Sequence, residues 1–241
     1  MKPEHLMLID IETVPCAANY HSLSEKMQLL WEKKSKLIDK EQHDPAISFS
    51  EKAGVYAEFG KIICIGVGLI STTADHSSLR VKTIAGDDEK VLLQDFERLC
   101  NTYFVQKERQ FCGHNIREFD IPYICRRAFI NQIPLPEILH NLQDKKPWEN
   151  PMLDTMQLWK FGEYKNFTSV DLLATILDIE TPKDDIDGSM VAEVYWKEKN
   201  LERIVRYCAK DVVTVAQILM RLHHRNLILE NDITMVNDNV L

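Results

Sequence analysis

One stretch constrains the fold of this chain more than any other. Phe59-Gly-Lys-Ile-Ile-Cys-Ile-Gly-Val-Gly-Leu-Ile70 is almost continuously apolar and rich in β-branched residues. It reads as a long buried strand. A strand of that kind needs a sheet around it and cover on its faces. His5 to Ile11 reads as a shorter buried strand, Leu79 to Ala85 alternates as a third, and Gln110 to Gly113 is a short fourth. Helical patterns dominate the rest. Gly86-Asp-Asp-Glu89 opens a helix whose apolar face is Val91, Leu92, Phe96, Leu99, Cys100 and Tyr103. Further helices are expected from about Asp120 to Ile130, from an Asp154 cap through Trp159, and from a Thr168–Asp171 capping pattern through Leu177. Two more are expected, Ser189 to Trp196 and Leu201 to Leu222, the last being the longest. Early strands and late helices predict an α/β protein, a mixed sheet with helices on both faces and no internal repeat.

The organisation expected is a single domain over residues 1–230 and a peripheral tail over 231–241. Residues 17–58 interrupt the first two strands. Ser22-Leu-Ser-Glu25 is a capping box, and Leu23, Met27, Leu30, Trp31, Leu37 and Ile38 follow helical spacing. This insertion reads as a helix packed on the domain surface, or as a lid beside the first motif; the two are compatible.

Composition excludes several classes. The chain has 241 residues, 45% of them hydrophobic, enough for one well-buried domain. It carries no apolar run of membrane-spanning length and no signal-peptide pattern, so a cytoplasmic protein away from membranes is expected. The six cysteines are scattered without a Cys-x-x-Cys pair. They read as buried free thiols, not disulfides or a zinc site. A net charge of −8 argues against a protein that coats duplex nucleic acid. It is compatible with an enzyme that grips a few nucleotides and neutralises phosphate with bound metal, because part of the charge would be the metal site.

The chemistry lies in three segments. Asp10-Ile-Glu12 ends the first strand run, and strand alternation puts both carboxylates on one side. Asn115-Ile-Arg-Glu-Phe119-Asp120 falls where a strand gives way to a helix, so Asp120 is either a helix cap or a ligand. Tyr207 and Asp211 are i and i+4 on one helix face, in an otherwise apolar setting where a charge is costly unless paired or metal-bound. An Arg206 ion pair is the competing reading for Asp211. The chain also carries its own control: Asp178-Ile-Glu180-Thr181 repeats Asp10-Ile-Glu12-Thr13, but it ends a helical run before Pro182 and reads as a solvated helix exit. Oxygen ligands of this kind select Mg²⁺ or Mn²⁺ over zinc or copper. Two such ions can activate water and stabilise a leaving oxygen in phosphodiester hydrolysis.

With these residues in hand, the chain resembles the DEDD 3′–5′ exonucleases of the tyrosine branch, and most closely stand-alone proteins similar to the proofreading domain of family-B DNA polymerases. Asp10 and Glu12 match the first motif, Asn115, Phe119 and Asp120 the second, Tyr207 and Asp211 the third. Asp10-Ile-Glu-Thr-Val-Pro15, Gly113-His-Asn115 and Asp187-Gly-Ser189 add support. The likeness runs roughly from Leu6 to Leu222, more weakly over 17–58. It implies a ribonuclease H-like fold with a central mixed sheet of five strands. It also implies release of 5′-mononucleotides from single-stranded 3′ ends, with DNA favoured, using two divalent ions. Asp10, Glu12, Asp120 and Asp211 would hold the metals, and Tyr207 would orient the water. Thr13, His114, Asn115 and Phe119 would contact substrate.

Lys183, Arg203, Arg206 and Lys210 are candidates for phosphate contacts, or plain solvated charges. Acidity predicts a weak, salt-sensitive grip on long strands and a protein partner, in replication or repair, to deliver them; no polymerase motif is visible, so any proofreading is expected in trans. Two other readings stay open: a nucleic-acid-binding or recruiting module with little activity, and a phosphodiesterase acting on small nucleotides.

Overall fold

The computed structural model describes residues 2–38, 44–73, 76–180 and 186–236. The chain enters as β1 (Leu6–Pro15), leaves the sheet through α1 (Glu25–Ile38) and α2 (Pro45–Lys52), and returns as the hairpin β2 (Gly60–Thr72) and β3 (Ser77–Ala85). Then come α3 (Glu89–Tyr103), β4 (Gln110–Gly113), α4 (Asp120–Asn131), β5 (Met152–Asp154) and α5 (Thr155–Lys160). Short α6 (Val170–Ile176) and α7 (Val191–Glu193) precede the long α8 (Leu201–Leu222), and β6 (Ile233–Val236) ends the described chain. Helix α7 runs on into a π-helical turn, Val194–Glu198.

The six strands lie in the order β5-β4-β1-β2-β3-β6. Strand β2 is antiparallel to both β1 and β3, while β4 and β5 run parallel to β1 and each other. This is the expected α/β, ribonuclease H-like arrangement, with six strands in place of five. The extra one comes from Ile233-Thr-Met-Val236, which pairs in parallel with Leu79–Lys82 at the sheet edge. Four residues are too few for periodicity to separate an edge strand from a tail. Strand β1 also runs four residues beyond the expected Ile11, so its two carboxylates lie within the strand and not at its end.

Alternation along β1 divides the core. Met7, Ile9 and Ile11 point into a cluster with Leu92, Phe96, Ile121 and Ile124 of α3 and α4. Leu6 and Leu8 point the other way, against Val212, Val215 and Leu219 of α8. Asp10 and Glu12 continue the Leu6–Leu8 row, so they face α8. Each fully buried aliphatic side chain on that face contributes roughly 1.5–3 kcal/mol. The apolar row can therefore hold α8 in place despite the buried carboxylates at its end.

Two glycines set how close α8 comes. A methyl group on Gly66 would sit 2.8 Å from Cγ2 of Val212 and 2.9 Å from Sγ of Cys208; one on Gly68 would sit 2.7 Å from Cγ1 of Val212. Gly66 is also the cross-strand partner of Asp10. The helix thus packs onto bare backbone beside the residue it must approach.

Local expectations shift in places. Helix α1 starts at Glu25, and Oγ of Ser24, not Ser22, accepts the Met27 amide at 3.4 Å. Trp31 is fully buried against Phe49 and Phe59, but Leu30 and Leu37 are exposed, so the insertion's apolar stripe is narrower than its spacing suggested. In α3, Leu93 takes the buried place expected for Val91, which is exposed. Asp178 and Glu180 are both exposed at the exit of α6, as the helix-exit reading requires.

Candidate active site

The site forms where β1, the start of α4 and the middle of α8 meet. Asp10, Asp120, Tyr207 and Asp211 line a cavity of about 370 Å³ together with His114, Asn115, Phe119 and Phe167. Glu12 and Thr13 line a second hollow of about 270 Å³, which also takes in Ser50, Glu51, Gly54 and Val55 from α2 and the turn after it, and Gly188 and Ser189. Ile11 and Phe119 border both, so the two hollows are neighbours along one trough. The insertion is therefore both a surface helical layer and one wall beside the first motif.

Each carboxylate arrives by a different route. Asp10 and Glu12 come by strand alternation. Asp211 comes from α8, and Tyr207 stands one turn earlier on the same helix face, close enough that, after burial, the Asp211 charge raises its phenol. Asp120 is the first residue of α4, yet its carboxylate does not cap that helix: Oδ1 accepts the backbone amide of Ile11 at 3.1 Å. That bond ties the second motif to the first across the sheet.

The turn that delivers Asp120 is itself held by an aspartate. Asp154 caps α5 through the Met156 amide at 2.9 Å, as expected. It also accepts the amides of Asn115 at 2.9 Å and Arg117 at 3.1 Å. Asn115 stands in the left-handed region, φ 63, a conformation asparagine tolerates better than most residues. Its side-chain oxygen Oδ1 is buried and has no protein hydrogen-bond partner.

Burial and like charge together raise the acids in the trough. Burial first, then Asp211, Glu12 and Asp120, push Asp10 well above the usual carboxylate range. Burial, then Asp211, raise Glu12 likewise. Burial pushes Asp120 up to about 7, against the hydrogen bonds it accepts from its own backbone and from Ile11. The Tyr207 phenol is driven far up by burial and by the carboxylates, so it keeps its proton at neutral pH.

Sequence reasoning missed two neighbours. Sγ of Cys208 lies 3.6 Å from Oδ2 of Asp10, and the ligand atoms of Asp10, Glu12 and Cys208 all fall within 4.8 Å of one another. Cys64, the cross-strand partner of Glu12, is buried beside Cys208 and pushes that thiol's pKa up. From the sequence alone both read simply as buried thiols. The one available signal was that Cys208 directly follows Tyr207.

The remaining expectations divide. Asn115 and Phe119 line the main cavity, and Thr13 the second hollow. His114 lines the cavity too, but both its nitrogens are engaged: Nε2 faces the Thr168 carbonyl at 2.7 Å and Nδ1 meets the Thr155 hydroxyl at 2.9 Å. It braces the cavity wall. Asp187 Oδ1 accepts the Ser189 amide at 2.8 Å, and this turn brings Gly188 near the Tyr207 hydroxyl. Arg203 pairs with Glu198 and Arg206 with Glu202, each at 2.7 Å. Neither these arginines nor Lys210 line either hollow, and Lys183 lies outside the described residues. Arg206 thus pairs along its own helix and not with Asp211.

Residues 55–237 match a family described as predicted 3′–5′ exonucleases related to the exonuclease domain of PolB. The chain belongs to this family. The match takes in Asp120, Tyr207 and Asp211 but begins after α2, so Asp10 and Glu12 lie upstream of it. The fold brings those two carboxylates against the matched ones. Among curated proteins none matches the chain. No helix among the described residues of this exonuclease-family chain is long and apolar enough to cross a membrane.

Proposed function

We propose that the protein is a metal-dependent 3′–5′ exonuclease that removes 5′-mononucleotides one at a time from single-stranded nucleic acid. DNA is the favoured substrate, in keeping with the family's relation to the PolB exonuclease domain. The observation that carries this reading is the convergence of Asp10, Glu12, Asp120 and Asp211 on one trough.

The donor set fits hard divalent cations. The carboxylates are buried or half-buried, and the charges weighing most on Asp10 and Glu12 come from the other acids. Bringing such groups together is costly unless a cation offsets them. Asp10, Glu12, Asp120 and Asp211 would hold two Mg²⁺ or Mn²⁺ ions, oxygen donors being the ligands those ions prefer. Bound there, the ions lower the pKa of an attacking water and stabilise the leaving oxygen.

The protein's own groups do the rest. Tyr207 stands beside Asp211 and holds its proton, so it can orient a water by hydrogen bonding but is a poor base. The orphaned Oδ1 of Asn115 is available to a donor on a terminal nucleotide. Phe119 offers its ring between the two hollows, where a base can stack, and Thr13 lies beside Glu12. His114, braced on both nitrogens, keeps that wall in place. A cytoplasmic role in replication or repair, with a partner that delivers strand ends, completes the proposal.

Digestion of a 5′-labelled single strand tests it. A ladder that shortens from the 3′ end with Mg²⁺ or Mn²⁺ and stops with EDTA is expected. Metal-independent binding without products would overturn the reading.

A further inference from the structure

Three exposed aromatic side chains lead up to the cavity, and the last of them lines it. Phe161, Tyr164 and Phe167 are 93%, 96% and 68% exposed. They recur every third residue through Lys160-Phe-Gly-Glu-Tyr164-Lys-Asn-Phe167, the connection from α5 to α6. Phe161 adopts a left-handed backbone, φ 47, followed by Gly162 at φ 88. For a phenylalanine that conformation costs on the order of 1 kcal/mol. Its ring packs on little that could offset the cost.

The strip is anchored where it meets the site. The Thr168 carbonyl binds His114, and Ser169 caps α6 through the Leu172 amide at 3.2 Å. Phe167 and Ser169 line the cavity that holds Asp10, Asp120 and Asp211. Three residues span at most about 11 Å, so Tyr164 lies within that reach of Phe167, and Phe161 within the same reach of Tyr164. Lys160 precedes the first ring and Lys165 stands between the second and third. The acid among them, Glu163, accepts the Asn166 side-chain amide at 2.6 Å.

We propose that Lys160–Phe167 is a stacking platform for single-stranded nucleic acid. Phe161 and Tyr164 take the bases that precede the terminal nucleotide, and Lys160 and Lys165 take their phosphates. The inference rests on the reading of the cavity as the seat of a strand end. It also supplies what an acidic chain lacks. Stacking accepts any base and does not depend on net charge. With two lysines on phosphates, log affinity should fall against log salt with a slope of about −1.4, at about −0.7 per phosphate for single strands.

The test is fluorescence anisotropy of the full chain in EDTA, using a labelled strand of about 12 nucleotides, within the usual site sizes, and a dinucleotide. Phe161→Ala/Tyr164→Ala should lose on the order of tenfold affinity per ring for the long strand. The preference for the long strand over the dinucleotide should collapse with it. Phe161→Tyr/Tyr164→Phe, which keeps both rings, should bind as wild type, and Lys160→Gln/Lys165→Gln should flatten the salt slope. Wild-type affinity in the double alanine variant would overturn the proposal. So would a wild-type chain indifferent to strand length, or a double variant changed only in self-association, which would mark a protein-docking surface. Stacking-dependent binding without metal-dependent hydrolysis would sink the exonuclease reading alone. Hydrolysis with unaltered binding in the double variant would sink the platform alone.

Discussion

The backbone amide of Ile11, set between the carboxylates of Asp10 and Glu12, donates to Oδ1 of Asp120 at 3.1 Å. Under the proposed mechanism Asp120 therefore has two tasks, one carried by its charge and one by its oxygen. They can be separated. Asp120→Asn keeps an oxygen for Ile11 and removes the charge. Metal affinity should fall by roughly 10- to 100-fold, while the melting temperature in EDTA near neutral pH holds or rises. Asp120→Ala also leaves the Ile11 amide buried without a partner, at about 1–3 kcal/mol, and should melt lower than wild type. Calorimetry beside metal titration checks both; equal melting of the two variants would count against the split.

Stability without metal should fall as pH rises. Unfolded carboxyls titrate near pH 4. In the folded chain Asp120 is pushed up to about 7, and Asp10 and Glu12 are raised well above their usual range. Between those limits the folded state binds more protons than the unfolded state, so ΔG of unfolding decreases with pH. The contribution is fully present below about pH 4 and is lost as pH passes the folded values. Melting in EDTA should therefore be lower at about pH 8 than at about pH 5.5, and added Mn²⁺ should stabilise more at the higher pH. Equal stabilisation by Mn²⁺ at both would contradict the linkage.

Tyr207 should matter for turnover and little for metal. Its phenol stays protonated beside Asp211, and under the proposed mechanism it orients a water. Tyr207→Phe should lower kcat by roughly 10²-fold with Mn²⁺ affinity retained. A comparable loss in both would mean that the hydroxyl serves the metal site instead.

Gly66 should not tolerate a methyl group. At 2.8 Å from Val212 and 2.9 Å from Cys208, the added carbon would push α8 off β2. Gly66→Ala should destabilise by about 1–3 kcal/mol and also reduce activity, because Tyr207 and Asp211 ride on the displaced helix. Unchanged melting and activity would show that α8 has room to move.

How much of this was legible in the sequence follows from how local each signal is. Helix α8 has the bounds its 3.6-residue pattern predicts, since the pattern is long and its apolar face strong. Asp10, Glu12, Tyr207 and Asp211 were nameable because strand alternation and i, i+4 spacing fix their faces, whereas Asp120, open between helix cap and ligand, was assigned only by the family resemblance. Strand β5 passed unnoticed: Met152–Asp154 has three residues and owes its state to pairing with β4. The roles of Cys208 and Cys64 depend on a helix-to-strand contact that periodicity does not encode. The second task of Asp154 and the hydrogen bonds that occupy His114 likewise exist only once distant turns have met.

The repeated tetrapeptide supplies the most direct test of the central claim, that the acids gathered by β1, α4 and α8 are the catalytic ones. The measurement is digestion of a 5′-labelled single strand with Mn²⁺ by wild type, Asp10→Asn and Asp178→Asn, each checked by melting. The account predicts that Asp10→Asn abolishes the ladder, while Asp178→Asn, altered at an exposed helix exit, cuts as wild type does. A folded Asp10→Asn protein that still produced the wild-type ladder would contradict it.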